Sequence, residues 1–105
     1  MEKLLAGVER ININPPIGIK RPGIRLFADP IQSIESDLTA TALVLEHNDN
    51  KIAIIACDLA LIPIEDDKKW REIIGKEIGA NRSHIMINCS HTHSGPAFPS
   101  WIEEN

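Results

Sequence analysis

The sequence predicts an α/β fold: a mixed β-sheet in which a β-hairpin is followed by a βαβ crossover, forming the N-terminal part of a larger α/β domain. Three observations carry that expectation. Two strand-like runs, 39–46 and 51–59, flank His47-Asn48-Asp49-Asn50, whose Asn and Asp side chains tolerate the left-handed backbone of a tight turn. After Pro63 the apolar residues switch to helical spacing, the mark of an amphipathic helix. A further apolar run, 84–89, follows that helix. A strand, a helix and a strand in this order form a right-handed crossover, with its two strands parallel.

Taken in order, 4–13 is a first strand with Val8, Ile11 and Ile13 as apolar members. It ends at Asn14-Pro15-Pro16, because proline has no N–H for a ladder and stiffens the exit. Residues 17–37 hold Gly18, Pro22, Gly23 and Pro30 without a sustained period. They read as a long ordered loop of the kind that covers or serves a site. The run 51–59 contains Ile52-Ala53-Ile54-Ile55-Ala56-Cys57, apolar at every position, as in a central strand covered on both faces. The helix opens on Glu65-Asp66-Asp67, which complements the positive end of its dipole. Trp70, Ile73, Ile74 and Ile78 form its apolar face, Lys68, Lys69, Arg71, Glu72 and Lys76 the rest, and Gly79 its stop.

With 105 residues, one unit is expected, a single partial domain over 1–105. Hydrophobic residues at 43% and charged residues at 25% exclude disorder. The 11 basic residues are interspersed among 15 acidic ones, giving a net charge of −4. Without a basic stripe or interleaved aromatics, no nucleic-acid partner is expected. Met1 to Gly7 lacks the apolar core of a signal peptide, and 52–64, broken by Asp58 and Pro63, is too short to span a bilayer. The expected location is cytoplasmic. Cys57 and Cys89 lie in apolar runs and read as small buried hydrophobes; adjacency of their strands would permit a disulfide. A sheet apolar on both faces but served by one helix leaves a surface for self-association.

Chemistry gathers at the carboxyl ends of strands in such units. Asp58 closes one of them and Ser90-His91-Thr92-His93 the other. In extended backbone, residues two apart share a face, which puts Ile85, Ile87, Cys89, His91 and His93 on one side. Two imidazoles so placed can share a metal, or divide the work of ligand and acid/base, and imidazole alone does not choose the metal. Gly95 permits close backbone approach after them. No HxHxDH pattern is present. A carboxylate after an apolar strand needs a partner. Asp58 is therefore either a loop carboxylate hydrogen-bonded to backbone or a group that orients an imidazole. His47, His84 and Trp70 read as solvated or structural, and Arg21 and Arg25 could meet an anion.

The stretch Ala6-Gly7-Val8-Glu9-Arg10-Ile11-Asn12-Ile13-Asn14-Pro15-Pro16-Ile17-Gly18 resembles the opening strand and double-proline turn of the neutral/alkaline ceramidases. Thr41-Ala42-Leu43-Val44-Leu45-Glu46 and Ile55-Ala56-Cys57-Asp58-Leu59 resemble that family's first hairpin. Asn88-Cys89-Ser90-His91-Thr92-His93-Ser94-Gly95-Pro96 looks like its zinc motif. The resemblance implies a zinc-dependent hydrolase of the N-acylsphingosine amide, or of a related lipid or N-acyl amide. It implies His91 as a zinc ligand and His93 as the catalytic or substrate-contacting residue beside the metal. The family's zinc site adds a glutamate and a tyrosine from distant positions, and this chain has no tyrosine. Family enzymes run several times longer and are often secreted or membrane-associated, so the zinc site is expected to be incomplete here and the chain alone inactive. Two other readings compete. One is a non-catalytic fragment or binding module that keeps the fold. The other is a different HxH hydrolase, such as an amidohydrolase-like enzyme, in which the pair follows an early barrel strand rather than a hairpin.

Overall fold

The structure, a computed structural model, describes residues 3–18 and 31–96. Arg21 and Arg25, much of the expected 17–37 loop, and the tail after Pro96 lie outside the described residues. The elements are β1 (Leu4–Asn12), β2 (Thr39–His47), β3 (Asn50–Cys57), α1 (Ile64–Ile78), a 3-10 turn (Arg82–His84) and β4 (Ile85–Cys89). One sheet holds the strands in the order β1-β2-β3-β4. The first two pairings are antiparallel and β3 pairs with β4 in parallel. The expected hairpin followed by a crossover is therefore present.

The hairpin closes where His47 pairs with Asn50, with Asn48 at a left-handed φ of 56°, a conformation that asparagine tolerates better than most residues. α1 has no side-chain cap at Pro63, and its first turn relies on Glu65, Asp66 and Asp67 to offset the orphan N–H groups. At its other end Gly79 is left-handed, with φ 77°, and the Ala80 N–H returns to the Gly75 carbonyl at 2.8 Å. Lys51 reaches across from β3 to donate to the Ile78 carbonyl at 2.9 Å, placing a cation at the negative end of the helix. Gly75 is buried, and a Cβ there would stand 2.6 Å from the Ala80 carbonyl oxygen. No other residue fits that position without a backbone shift.

Several expectations need correction. β3 stops at Cys57 rather than continuing to residue 59, because Asp58 turns its carboxylate back to Thr39. His84 belongs to the 3-10 turn, which Asn81 caps by accepting the Ser83 N–H at 2.9 Å. On α1, Ile73 is exposed. The covered stripe instead runs through Trp70, Ile74, Gly75 and Ile78, with Arg71 half-buried and paired to Asp67 at 3.0 Å. Ile73 lies about 100° around the helix from Ile74 and so points away.

β3 is covered on one face only. Its strand alternation divides it: Ala53, 1% exposed, and Cys57 are buried on one face, while Ile52, 42% exposed, sits on the other. Ile85, the β4 partner of Ala53, is buried with it, whereas the neighbouring Met86 is exposed. Among the described residues the helix covers one face over β3 and β4 and the other is left open, as a sheet apolar on both faces but served by one helix implies. β1 is exposed along its whole length.

Candidate metal and catalytic site

One end of the sheet collects the exits of β1, β3 and β4 and the entry to β2. The parallel pairing outlasts the regular strands there. The Ser90 N–H donates to the Cys57 carbonyl at 2.9 Å and the His91 N–H to the Leu59 carbonyl at 3.0 Å. These two bonds carry the chain to His91 beside the exit from β3. At His91 the backbone becomes left-handed, with φ 61°. Such a conformation is uncommon outside glycine and clusters at functional positions.

The turn sets the imidazole. His91 Nδ1 lies 2.6 Å from the Ala60 carbonyl oxygen. A carbonyl only accepts, so Nδ1 carries the proton and donates. In the neutral ring Nε2 is then left with its lone pair free for a metal or a proton. The His91 and His93 rings meet edge to face, their centroids 5.1 Å apart and their planes at 79°. The expected strand alternation through His91 and His93 therefore needs correction: regular β4 ends at Cys89, and the left-handed turn at His91 follows it. Beyond the pair, the Ser94 N–H donates to Thr92 Oγ1 at 3.2 Å. Gly95 is buried, and a Cβ there would meet Thr92 at 3.3 Å and Leu38 at 3.4 Å. A Cβ there would push those side chains aside by a few tenths of an ångström, so glycine lets the loop close on the start of β2 without that shift.

Asp58 Oδ2 accepts from the Thr39 N–H at 2.9 Å and from the Thr39 hydroxyl at 3.2 Å. The Thr39 backbone bond is the main reason its pKa falls below the usual carboxylate range. Partial burial opposes the shift, and hydrogen bonds from the Ser90 and Thr39 hydroxyls and the charge of Arg10 reinforce it. Of the two roles read from the sequence, the backbone-bonded carboxylate is the one these contacts display. Asp58 reaches the histidines indirectly, through Ser90, which precedes His91 in the chain.

Asn14 was not singled out from the sequence. Its N–H donates to Asn12 Oδ1 at 2.7 Å, its side-chain amide donates to Asp37 at 2.8 Å, and its Oδ1 accepts from the Leu38 N–H at 2.7 Å. An Asn two residues before another polar backbone turn, followed by Pro15-Pro16, is the sequence signal that could have found it.

The 91–94 loop borders two depressions. One, of about 390 Å³, is lined by Asn14, Ser33, Glu35, Ser36, Thr92 and Ser94 among others. The second, of about 440 Å³, is lined mainly by Leu61, Ile62, Ile64, Ile87, Cys89 and His91. Cys57 and Cys89 are direct register partners on adjacent strands, and both are free thiols. Burial pushes both thiols up, helped for Cys57 by Cys89 and then Asp58, and for Cys89 by Asp67. His47 and His84, both exposed, sit at the far end of the sheet.

Among the described residues no three His, Cys, Asp or Glu side chains converge as a metal-binding group. No helix among them is long and apolar enough to cross a membrane. The chain matches no family model, no curated protein and no solved structure.

Proposed function

We propose that the chain carries part of a zinc-dependent amide hydrolase site resembling that of the neutral/alkaline ceramidases. His91 is the zinc ligand in this reading, and His93 the acid/base or substrate-contacting group beside it. One observation supports this above the others: the Ala60 carbonyl holds the Nδ1 proton of His91 and leaves Nε2 free. Metal-binding histidines are oriented in this way, the second nitrogen donating to a carbonyl or carboxylate. His91 fits as one ligand of a catalytic zinc site, which takes three protein ligands, with His93 beside it; the other ligands would come from outside the described residues. Zinc supplies polarisation of an amide carbonyl and a lowered pKa for water. The chain's own residues hold His91 in its tautomer, set His93 against it, and fix the start of the loop through Asp58 and Ser90. The substrate class is a small-molecule or lipid amide, to whose acyl part Leu61, Ile62, Ile64 and Ile87 in the depression beside His91 offer apolar contacts.

A second reading is a non-catalytic module that keeps this fold, and it rests on the ligand count of the described residues. It shares with the first an uncovered sheet through which copies can associate. Zinc titration of the isotopically labelled chain, followed at the imidazole nitrogens, separates the readings. The amidase reading expects His91 with a protonated Nδ1 and a zinc-induced shift at Nε2, abolished in His91→Ala and retained in His93→Ala. In protein carrying the whole ligand set, His91→Ala should lose both metal and amide hydrolysis. His93→Ala should keep zinc and slow turnover by ~10²–10⁴-fold. Full hydrolysis in His91→Ala would remove the zinc-amidase reading.

A further inference from the structure

We infer that the free edge of β1 is a self-recognition surface, pairing antiparallel with β1 of a second copy about a two-fold axis through Val8. Three observations lead there. Among the described residues β1 has a neighbour on one side only. All nine of its residues pair with β2 without a bulge, and none is proline. A long, regular, open edge is a template for another strand.

Gly7 is the second observation. It sits in mid-strand with φ outside the left-handed region, and a Cβ placed on it would meet nothing within 4 Å. Among the described residues, neither backbone conformation nor packing calls for glycine there. A glycine inside a strand otherwise weakens it, and often marks a place where another chain comes close.

The third observation is register. A two-fold axis perpendicular to the sheet keeps each residue on its own face, so only alternate registers are allowed. Centred on Val8, all nine residues find partners and Val8 meets itself. Leu5 then faces Ile11 of the second copy, while Glu9 faces Gly7 and Arg10 faces Ala6. The long charged side chains are thus set opposite the two smallest residues of the strand, Leu5 and Val8 meet apolar partners, and only at the strand ends does a large apolar residue, Leu4, face a polar one, Asn12. Shifting one step in one direction opposes Glu9 to Glu9, and two steps opposes Arg10 to Arg10, which repel. One step in the other direction sets Leu5 against Glu9 and leaves Ile11 beyond Leu4. Leu5, Val8 and Ile11 are all more than half exposed in the single chain, so the Val8-centred register gives each an apolar neighbour. The product is a continuous eight-stranded sheet, with the His91 end of β3 and β4 remote from the new seam. The pairing needs neither zinc nor the amidase reading.

The test uses the whole chain. Light scattering across a concentration series should show a monomer–dimer equilibrium. Val8→Cys, oxidised in air, should yield a disulfide-linked dimer at least ~10-fold faster than Glu9→Cys, since only residue 8 meets itself; the native thiols are common to both variants. Val8→Lys should weaken dimerisation by ~5-fold or more through like charges at the axis while leaving the far-ultraviolet spectrum unchanged. A chain that stays monomeric up to its solubility limit would overturn the inference. So would cross-linking that is equal at positions 8 and 9, as expected of association through a sheet face.

Discussion

The two halves of this sheet are both built from strands rich in apolar residues, yet they are finished differently. In the β3–α1–β4 half, Ala53, Cys57 and Ile85 are buried under a helix, and every chemical candidate (Asp58, His91 and His93) lies at its carboxyl end. The β1–β2 half has no helix among the described residues. Leu5 is 56% and Val8 66% exposed, on opposite faces of the same strand. What separates the halves is the connection. A parallel crossover carries a helix onto the sheet, whereas β1 and β2 are joined through residues 13–38, whose described part holds no helix. The site therefore rests on the half that the chain can pack for itself.

If that division is real, substitutions should have unequal effects across it. Ile85→Ala removes a buried side chain beneath the helix and should cost about 2–5 kcal/mol, read as a lowered urea midpoint. Val8→Ala, at an exposed position, should stay within about 0.5 kcal/mol. Comparable losses at the two positions would mean that something covers β1 as firmly as α1 covers β4.

The glycines sharpen the comparison at smaller scale. Gly75→Ala drives a Cβ to 2.6 Å from the Ala80 carbonyl and should cost about 1–3 kcal/mol by overpacking. Gly7→Ala enters open space and should stabilise the single chain by about 0.4–1 kcal/mol through the unfolded state. Opposite signs in the thermal midpoints are the expected result. A Gly75→Ala variant as stable as the parent would show that the C-terminal turn of α1 is looser than its geometry.

Much of this fold was legible because local chemistry and topology agree. Asn48 and Asp49 announce the hairpin, Pro63 with three acids announces the helix, and Gly79 ends it. Burial was less legible. An all-apolar run such as Ile52 to Cys57 suits cover on both faces, and the single helix implies that one stays open, but which face that is depends on the other elements, which no single strand encodes. Ile73 was misplaced for a related reason: spacing admits it to the apolar face, and the position of β4 decides that Ile74 and Gly75 are the ones used. At the site, the sequence marked His91 and His93 but brought them together by strand alternation. The left-handed turn at His91 and its bond to Ala60 are tertiary facts, made by pairing with the exit from β3. Asn14 escaped notice because its partners, Asp37 and Leu38, are 23 and 24 residues away.

Asp58 adds a side-chain tie to the β2–β3 ladder that joins the halves, since its carboxylate at the end of β3 grips the first residue of β2. Its pKa is lowered in the folded chain, so the sign of its pH dependence is fixed. The charge favours the folded state wherever the unfolded carboxyl would also be ionised, above its ordinary value of ~3.9. That contribution fades as pH falls through ~3.9 and toward the folded value, where both forms take up the proton. Asp58→Asn keeps an oxygen for the Thr39 N–H and removes only the charge. A hydrogen bond to a charged group contributes more than a neutral one, by about 1 kcal/mol. The parent should therefore exceed Asp58→Asn by roughly that amount near neutrality, with the gap closing in acid. Urea midpoints for the two proteins across a pH series measure it. A gap that stays constant with pH would show that the carboxylate's charge is not what ties β3 to β2; a gap that widens in acid would reverse the assigned direction of the shift. Because Ser90 binds the same carboxylate, the imidazole signals of His91 should move over the same pH range in the parent and not in Asp58→Asn, if the clamp between the halves is also what steadies the site.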